Sequence, residues 1–152
     1  MIAVAIGLAL AAASAVPDAP ANLLVGTRSC LMQYGGRSVT LTQSGTRVLR
    51  GTFVLVQERR GGETILQSYY AVRATGGWYR EYDFDAAGAV DEQRTPGLSN
   101  GRFLWTSVSK RGESYEMRRD GDVVRFRFFE LGRDRLRHET GRATCRPLRV
   151  PR

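Results

Sequence analysis

The residues that could carry chemistry in this chain are few: an acidic cluster, one histidine and two cysteines. Glu81, Asp83 and Asp85 alternate along "WYREYDFD", so they lie on one face if the segment is a β-strand. Paired carboxylates can act in acid–base catalysis or bind Ca²⁺, but this segment lacks the loop geometry of a calcium site. Because the opposite face is aromatic, the sequence predicts that all three carboxylates face solvent.

No arrangement for nucleophilic catalysis is visible. His138 is the only imidazole, no Gly-x-Ser-x-Gly segment occurs, and the glycines lie singly or in pairs at turn positions rather than in a phosphate-binding loop. The prediction is therefore a protein that is not an enzyme. An isomerase or cyclase that uses Arg80, Glu81, Tyr82 and His138 is the enzymatic alternative.

The two cysteines predict a disulfide. Cys30 and Cys145 stand near the two ends of the strand-rich region, and neither belongs to a C-x-x-C pair. Two cysteines and one histidine cannot complete a four-ligand zinc site, so no metal is predicted. A Cys30–Cys145 disulfide would form in an oxidising compartment.

The N-terminus predicts the same compartment. Residues 1–15, "MIAVAIGLALAAASA", form an apolar run that ends in Ala13-Ser14-Ala15, which is typical of a signal peptide cleaved near Ala15. A retained N-terminal anchor or an apolar extension are the alternatives. The prediction is a periplasmic or secreted protein with a linker at 16–22 and one β-barrel domain at 23–152.

The charge does not indicate a nucleic-acid partner. Arg and Lys number 23 against 15 Asp and Glu, giving a net charge of +8. The basic residues are scattered and often stand beside acidic ones, whereas nucleic-acid proteins gather them in a stripe with stacking aromatics. The expected partner is a small hydrophobic or amphipathic ligand, with a protein partner as an alternative, and the expected state is a monomer.

The rest of the chain reads as short strands separated by turns. Glycine-containing turn signals recur throughout, and the runs between them alternate apolar and polar residues, as in "RSVTLTQ" and "DVVRFRFFE". This pattern predicts an all-β, antiparallel up-and-down β-barrel of about 8–10 strands. First and last strands are neighbours in such a barrel, so the Cys30–Cys145 disulfide would join them. A β-sandwich is the alternative.

The opening "NLLVGTRSC" resembles the first strand of lipocalin-like (calycin) barrels, which carries a Gly-x-Trp signature. Gly26 stands at the glycine position and Arg28 at the tryptophan position. The segment "WYREYDFDAAGAVDEQRTPGLSNGRFLWTS" is similar to small uncharacterised bacterial secreted lipocalin-like proteins. The resemblance implies a ligand-binding barrel over roughly residues 23–148. The family tryptophan closes one end of the barrel, so Trp78 or Trp105 would have to replace it here.

If the aromatic faces point inward, they line the barrel. The candidate ligand-binding residues are Trp78, Arg80, Tyr82, Trp105, Tyr115, Met117, Arg119, Phe126, Phe128 and His138. A barrel of this size can hold one small ligand. The alternative is that these side chains fill the interior.

Three polar members of this set carry specific expectations. An inward Arg80 requires a carboxylate, from the protein or from an anionic ligand, unless it lies at the barrel rim. Arg119 has the same ambiguity. If His138 points inward, it could bind haem; the alternative is a structural histidine. No other cofactor is predicted.

Two functions are weighed. The first is a non-catalytic protein that binds a small apolar or amphipathic ligand, including an anionic one, inside the barrel. The second is a protein-interaction module such as a periplasmic enzyme inhibitor, which would present the 91–102 loop, "DEQRTPGLSNGR".

Overall fold

The described part of the protein is almost entirely antiparallel β-structure. The computed structural model describes residues 19–148, and the predicted signal peptide therefore lies outside the described residues. The strands are β1 Gly26–Tyr34, β2 Arg37–Val48, β3 Phe53–Arg60, β4 Glu63–Ala71, β5 Tyr79–Asp85, β6 Val90–Thr95, β7 Leu98–Ser99, β8 Arg102–Ser107, β9 Ser114–Asp120, β10 Val123–Leu131 and β11 Arg137–Pro147. Two short 3-10 segments, Pro20–Leu24 and Leu49–Gly51, complete the regular structure of this part of the chain. Within it, no helix has both the length and the apolar character needed to cross a membrane.

Ten of the strands form a closed barrel. Each strand from β1 to β6 pairs with the next, as do those from β8 to β11, while β1 pairs with β11 and β6 pairs with β8. The two-residue β7 pairs only with β8. The predicted up-and-down barrel is confirmed, and its closure leaves no long unpaired edge strand in the described part of the chain.

The disulfide lies where the first and last strands meet. β1 and β11 pair from Arg28↔Pro147 to Tyr34↔Gly141, and Cys30 is directly opposite Cys145 in this register. The two residues form the predicted disulfide bond. Both are buried on the inner face of the barrel, so the bond also forms part of the core.

The shortest pairing in the barrel is between β6 and β8. Only Gln93↔Ser107 and Arg94↔Thr106 are in register there. The buried Asp91 carboxylate adds to this junction, because it accepts hydrogen bonds from Ser107 Oγ at 2.9 Å and from Ser109 Oγ. Side-chain contacts therefore support the junction where the backbone ladder is shortest.

The segment Pro20–Leu24, here called the floor segment, closes one end of the barrel. Leu23 and Leu24 are buried in the core cluster. A β-carbon at Gly45 would stand 1.9 Å from the Leu24 carbonyl oxygen, so only glycine allows this approach. Residues 20–22 of the predicted linker at 16–22 thus belong to the floor segment, which packs against β3 and β4, and Ala19 and Ala21 are buried.

Arg28 holds the floor segment in place. Its Nη1 donates to the Leu24 carbonyl at 2.9 Å and its Nη2 to the Leu23 carbonyl at 2.6 Å. These bonds satisfy carbonyls at the end of a 3-10 helix. The residue at the family tryptophan position therefore binds the floor segment through hydrogen bonds rather than apolar packing. Burial, followed by the charge of Arg119, lowers the pKa of Arg28.

Strand β5 presents the face opposite to the predicted one. Glu81 is 2% exposed and points into the barrel, whereas Tyr82 packs among side chains on the outside. The predictions that Glu81 and Asp83 face solvent and that Arg80 and Tyr82 face the interior are therefore wrong. Inside the barrel, the hydroxyls of Ser68 and Tyr115 donate hydrogen bonds to Asp83 and Glu81. Arg80 instead pairs with Glu92 on the outer surface.

Candidate functional site

The barrel contains a cavity of about 360 Å³. One part of its wall is apolar, formed by side chains that include Met32, Leu41, Leu66, Phe126 and Phe128. The other part is polar, formed by Gln43, Glu58, Ser68, Tyr70, Glu81, Asp83, Gln93 and Tyr115. The lining extends to the exposed Tyr34, Glu113 and Glu130, so the cavity reaches the surface away from the floor segment.

Glu81 is at the centre of the polar wall. Its neighbours across β5 are Tyr70 on β4 and Gln93 on β6, which all point inward from paired positions. The Tyr115 hydroxyl donates a hydrogen bond to Glu81 Oε2, and the hydroxyls of Tyr70 and Tyr115 are 3.2 Å apart. Two tyrosines from opposite sides of the barrel thus hold this carboxyl.

Asp83 and Glu58 extend the polar wall toward the mouth. Ser68 Oγ donates to Asp83 Oδ1 at 2.5 Å, and Gln93 Nε2 donates to Asp83 Oδ2 at 3.1 Å. Gln43 Nε2 donates to Glu58 Oε1 at 3.2 Å. We call Glu58, Glu81 and Asp83 the inner carboxyl cluster.

The inner carboxyl cluster has no cationic partner among residues 19–148. No arginine, lysine or histidine is among the residues that line the cavity in the described part of the chain. Burial raises the pKa of Glu81 well above its usual value, and the charge of Asp83 adds to the effect. Burial likewise raises the pKa of Asp83 and of Glu58, although hydrogen bonds from Ser68 and Gln43 oppose the shifts. The cluster therefore retains protons at pH values where exposed carboxyls are ionised.

The polar wall also contains buried hydrogen-bond acceptors that have no donor partner. Gln43 is 3% exposed, and its Oε1 has no hydrogen-bond partner. Gln93 Oε1 is likewise buried without a partner. Each amide gives its NH₂ group to a carboxylate of the cluster, so its oxygen is left for something else in the cavity. Unsatisfied buried acceptors are uncommon in folded proteins and call for an explanation.

Some of the sequence-predicted site residues do line the cavity. Tyr115 lies in its polar wall, and Phe126 and Phe128 lie in its apolar wall. Trp105 and Met117 are fully buried in the core beside it, with Trp105 stacked on Tyr115 at a ring distance of 5.9 Å. Their burial agrees with the predicted inner faces of β8 and β9.

Other predicted residues lie elsewhere. Arg80 Nη1 is 2.7 Å from Glu92 Oε1 on the outer surface, and Tyr82 lies in an outer apolar patch with Tyr69 and Phe84. Trp78 was expected to face inward with them, but it is 41% exposed in the turn that precedes β5. The basis for recognition of an anionic group by Arg80 is therefore absent.

The two remaining candidates lie at the ends of the barrel. His138 is exposed, and its Nε2 is 2.9 Å from Asp134 Oδ1 in the hairpin that joins β10 and β11. A register shift between Phe128 and Phe129 separates it from the regular part of β11, so the expectation of an inward His138 is wrong. Arg119 is exposed, and its Nε donates to the Gly121 carbonyl at 2.7 Å.

The segment predicted to form an interaction loop is largely strand. Residues 91–102 contain most of β6 and all of β7, and Asp91 and Thr95 are buried. Only short turns remain between these strands. The segment therefore consists of strand β6 and a short hairpin between β7 and β8 rather than one long loop.

Sequence reasoning missed the inner carboxyl cluster, although two strands carried a signal for it. Gln43 follows Val39 and Leu41 on one face of β2, and Glu58 follows Val54 and Val56 on one face of β3. A polar residue in phase with an apolar face indicates a polar interior at that level of the barrel. No protein-family model matches the chain, and no curated protein is significantly similar to it.

Proposed function

We propose that this is a non-catalytic binding protein of the periplasm or extracellular space that holds a small amphipathic molecule inside its barrel. The observation that carries the proposal is the cavity of about 360 Å³, with an apolar wall facing a polar one. This volume lies within the range of about 300–1,000 Å³ of small-molecule sites, which combine apolar walls with a few placed polar groups. The disulfide and the apolar N-terminal run support the location.

The exposed mouth and the closed floor also support binding rather than a filled core. A ligand can enter between Tyr34, Glu113 and Glu130 without crossing the strand ladders, since these residues lie at the rim. The floor segment prevents it from passing through. The bound molecule would contact Met32, Phe126 and Phe128 on one side and the inner carboxyl cluster on the other.

Titration with N-phenyl-1-naphthylamine, a neutral probe that fluoresces in apolar sites, tests the proposal. We expect saturable binding of one probe per chain. Leu66→Trp should abolish binding because Leu66 lines the cavity, whereas Leu55→Trp should not, since Leu55 lies on the other face of the neighbouring strand. Absence of saturable binding, or equal binding by the two variants, would refute the proposal.

A further inference from the structure

The inner carboxyl cluster stands in an unusual electrostatic setting. The chain as a whole carries a net charge of +8, yet five acidic residues and no basic one line the cavity among the described residues: Glu58, Glu81, Asp83, Glu113 and Glu130. Buried carboxyls without a cationic partner are costly and are concentrated at functional sites. The many basic side chains within residues 19–148 would have offered ways to neutralise them, but none of these is among the residues that line the cavity.

The unpartnered amide oxygens give a second, independent indication. Gln43 Oε1 and Gln93 Oε1 border the same cavity and accept no hydrogen bond. Together with the carboxyl oxygens they make this wall rich in acceptors. The donors on the wall, such as Ser68 Oγ and Tyr115 Oη, are already used within it. A complementary ligand must therefore bring several donors of its own.

A metal ion does not fit this wall. In residues 19–148, no group of three or more His, Cys, Asp or Glu residues is arranged so that it could hold a metal. The opposite wall is aromatic, and the rings of Phe126 and Phe128 are nearly parallel with centroids 6.4 Å apart. Aromatic faces accommodate a flat apolar body and attract an adjacent organic cation.

On the basis of the binding function proposed above, we propose that the ligand is an organic cation: a primary ammonium or amidinium group on an aromatic body. Its N–H donors bind Glu81 and Asp83 and can reach the free oxygen of Gln43. Its ring packs against Phe126 and Phe128. The cation supplies the positive charge that the cavity lining lacks.

Three compounds of nearly equal shape test the charge of the ligand. Tryptamine carries an ammonium group, 3-propylindole has a methyl group in its place, and indole-3-propionate carries a carboxylate. By isothermal titration calorimetry we expect tryptamine to bind at least about tenfold more tightly than 3-propylindole, as hydrogen bonds to charged groups allow. Indole-3-propionate should bind more weakly than either.

Two isosteric variants locate the charge recognition. Glu81→Gln and Asp83→Asn should each reduce the preference for tryptamine over 3-propylindole, while leaving 3-propylindole binding intact as evidence that the cavity is folded. Glu63→Gln is the matched control, because Glu63 is exposed at the start of β4. If all four proteins show the same preference, the assignment to Glu81 and Asp83 is wrong.

Proton release gives a readout that simple apolar binding does not share. Tyr70 on β4, Asp91 on β6 and Tyr115 on β9 act on the pKa values of the cluster, and Glu113 and Glu130 line the same cavity. Ammonium binding should ionise a carboxyl of the cluster and release a proton, seen as a dependence of the heat on buffer ionisation enthalpy. Binding of 3-propylindole should release none.

The outcomes separate this inference from the function on which it rests. Equal binding of the three compounds, or preference for indole-3-propionate, refutes the cationic ligand and leaves the binding function standing. Binding of N-phenyl-1-naphthylamine without binding of tryptamine would likewise refute the cationic ligand and leave the binding function standing. If neither the naphthylamine nor any of the three indoles binds, both proposals are wrong.

Discussion

Replacing Glu81 with glutamine should stabilise the protein at neutral and alkaline pH. Glu81 is 2% exposed, and no cation lines the cavity that it borders within the described residues. Burial, with the charge of Asp83 second, raises the pKa of Glu81 well above the ordinary value of 4.5. Glutamine keeps the size of the side chain and an oxygen for the Tyr115 hydroxyl, and its amide can donate to Asp83.

The sign of the effect follows from proton binding. Above pH 4.5 the unfolded chain loses the Glu81 proton, while the folded protein keeps it up to the raised pKa. The folded state therefore binds more protons across that interval, so the free energy of unfolding falls as pH rises through it. Asp83 and Glu58, whose pKa values are also raised, contribute with the same sign.

The magnitude is set by the number of retained protons. One proton held only by the folded state changes the free energy of unfolding by roughly 1 kcal/mol for every pH unit. Between pH 5 and pH 8 the wild-type protein can then lose at most about 4 kcal/mol through Glu81 alone, the limit for one proton retained across all three pH units. The hydrogen bond from Tyr115 to Glu81 favours the ionised form, so it opposes the rise in pKa and keeps the loss below this limit.

Urea unfolding at pH 5, 6.5 and 8, followed by tryptophan fluorescence, measures this dependence. Wild type should show a falling free energy of unfolding, and Glu81→Gln should show a shallower slope and a higher value at pH 8. The exposed Glu63→Gln should follow the wild type. A wild-type stability that is flat or rises from pH 5 to pH 8, or an unchanged slope in Glu81→Gln, would refute the buried, proton-retaining carboxyl.

Three further changes test the barrel and the placement of its residues. Replacing Cys30 and Cys145 by alanine should lower the free energy of unfolding by about 5 kcal/mol in the chain-entropy treatment, since the bond spans 115 residues; a loss below about 1 kcal/mol in urea would contradict this. Gly45→Ala should lower it by about 1–3 kcal/mol, because the added carbon meets the Leu24 carbonyl; an unchanged urea midpoint would argue against that contact. Arg80→Gln should leave naphthylamine affinity unchanged in the fluorescence titration, since Arg80 is outside the barrel; weakened binding would contradict this placement.

The architecture could be predicted because several local signals agree. Turn residues separate short alternating segments, and on β10 the contrast between faces is strong: Val124 and Phe126 are buried while Arg125 and Arg127 point outward. Exchanging those two faces would bury arginines and expose phenylalanine, so the sequence alone decides the orientation. The closure through Cys30 then follows from the order of the strands.

The floor segment could not be predicted in the same way. Its burial depends on a close approach to Gly45 and on hydrogen bonds from Arg28, and neither contact is local in sequence. The position of His138 likewise depends on the register shift near Phe129 and on the contact with Asp134 in the hairpin. Neither feature can be predicted from the alternation of apolar and polar residues.

Strand β5 shows why an aromatic face does not always point inward. Both of its faces mix apolar and charged residues, so they differ little in hydrophobicity. The charged groups therefore determine which face is buried. A carboxyl such as Glu81 can enter an apolar interior by keeping its proton, whereas the guanidinium of Arg80 stays charged in proteins and needs a buried anion. The face with carboxyls is therefore the less costly one to bury, and Tyr82 is left to pack outside with the edge-to-face pair of Tyr69 and Phe84. The same choice places acidic groups where a ligand can reach them, so the orientation of β5 determines both the pH dependence and the charge selectivity expected of this barrel.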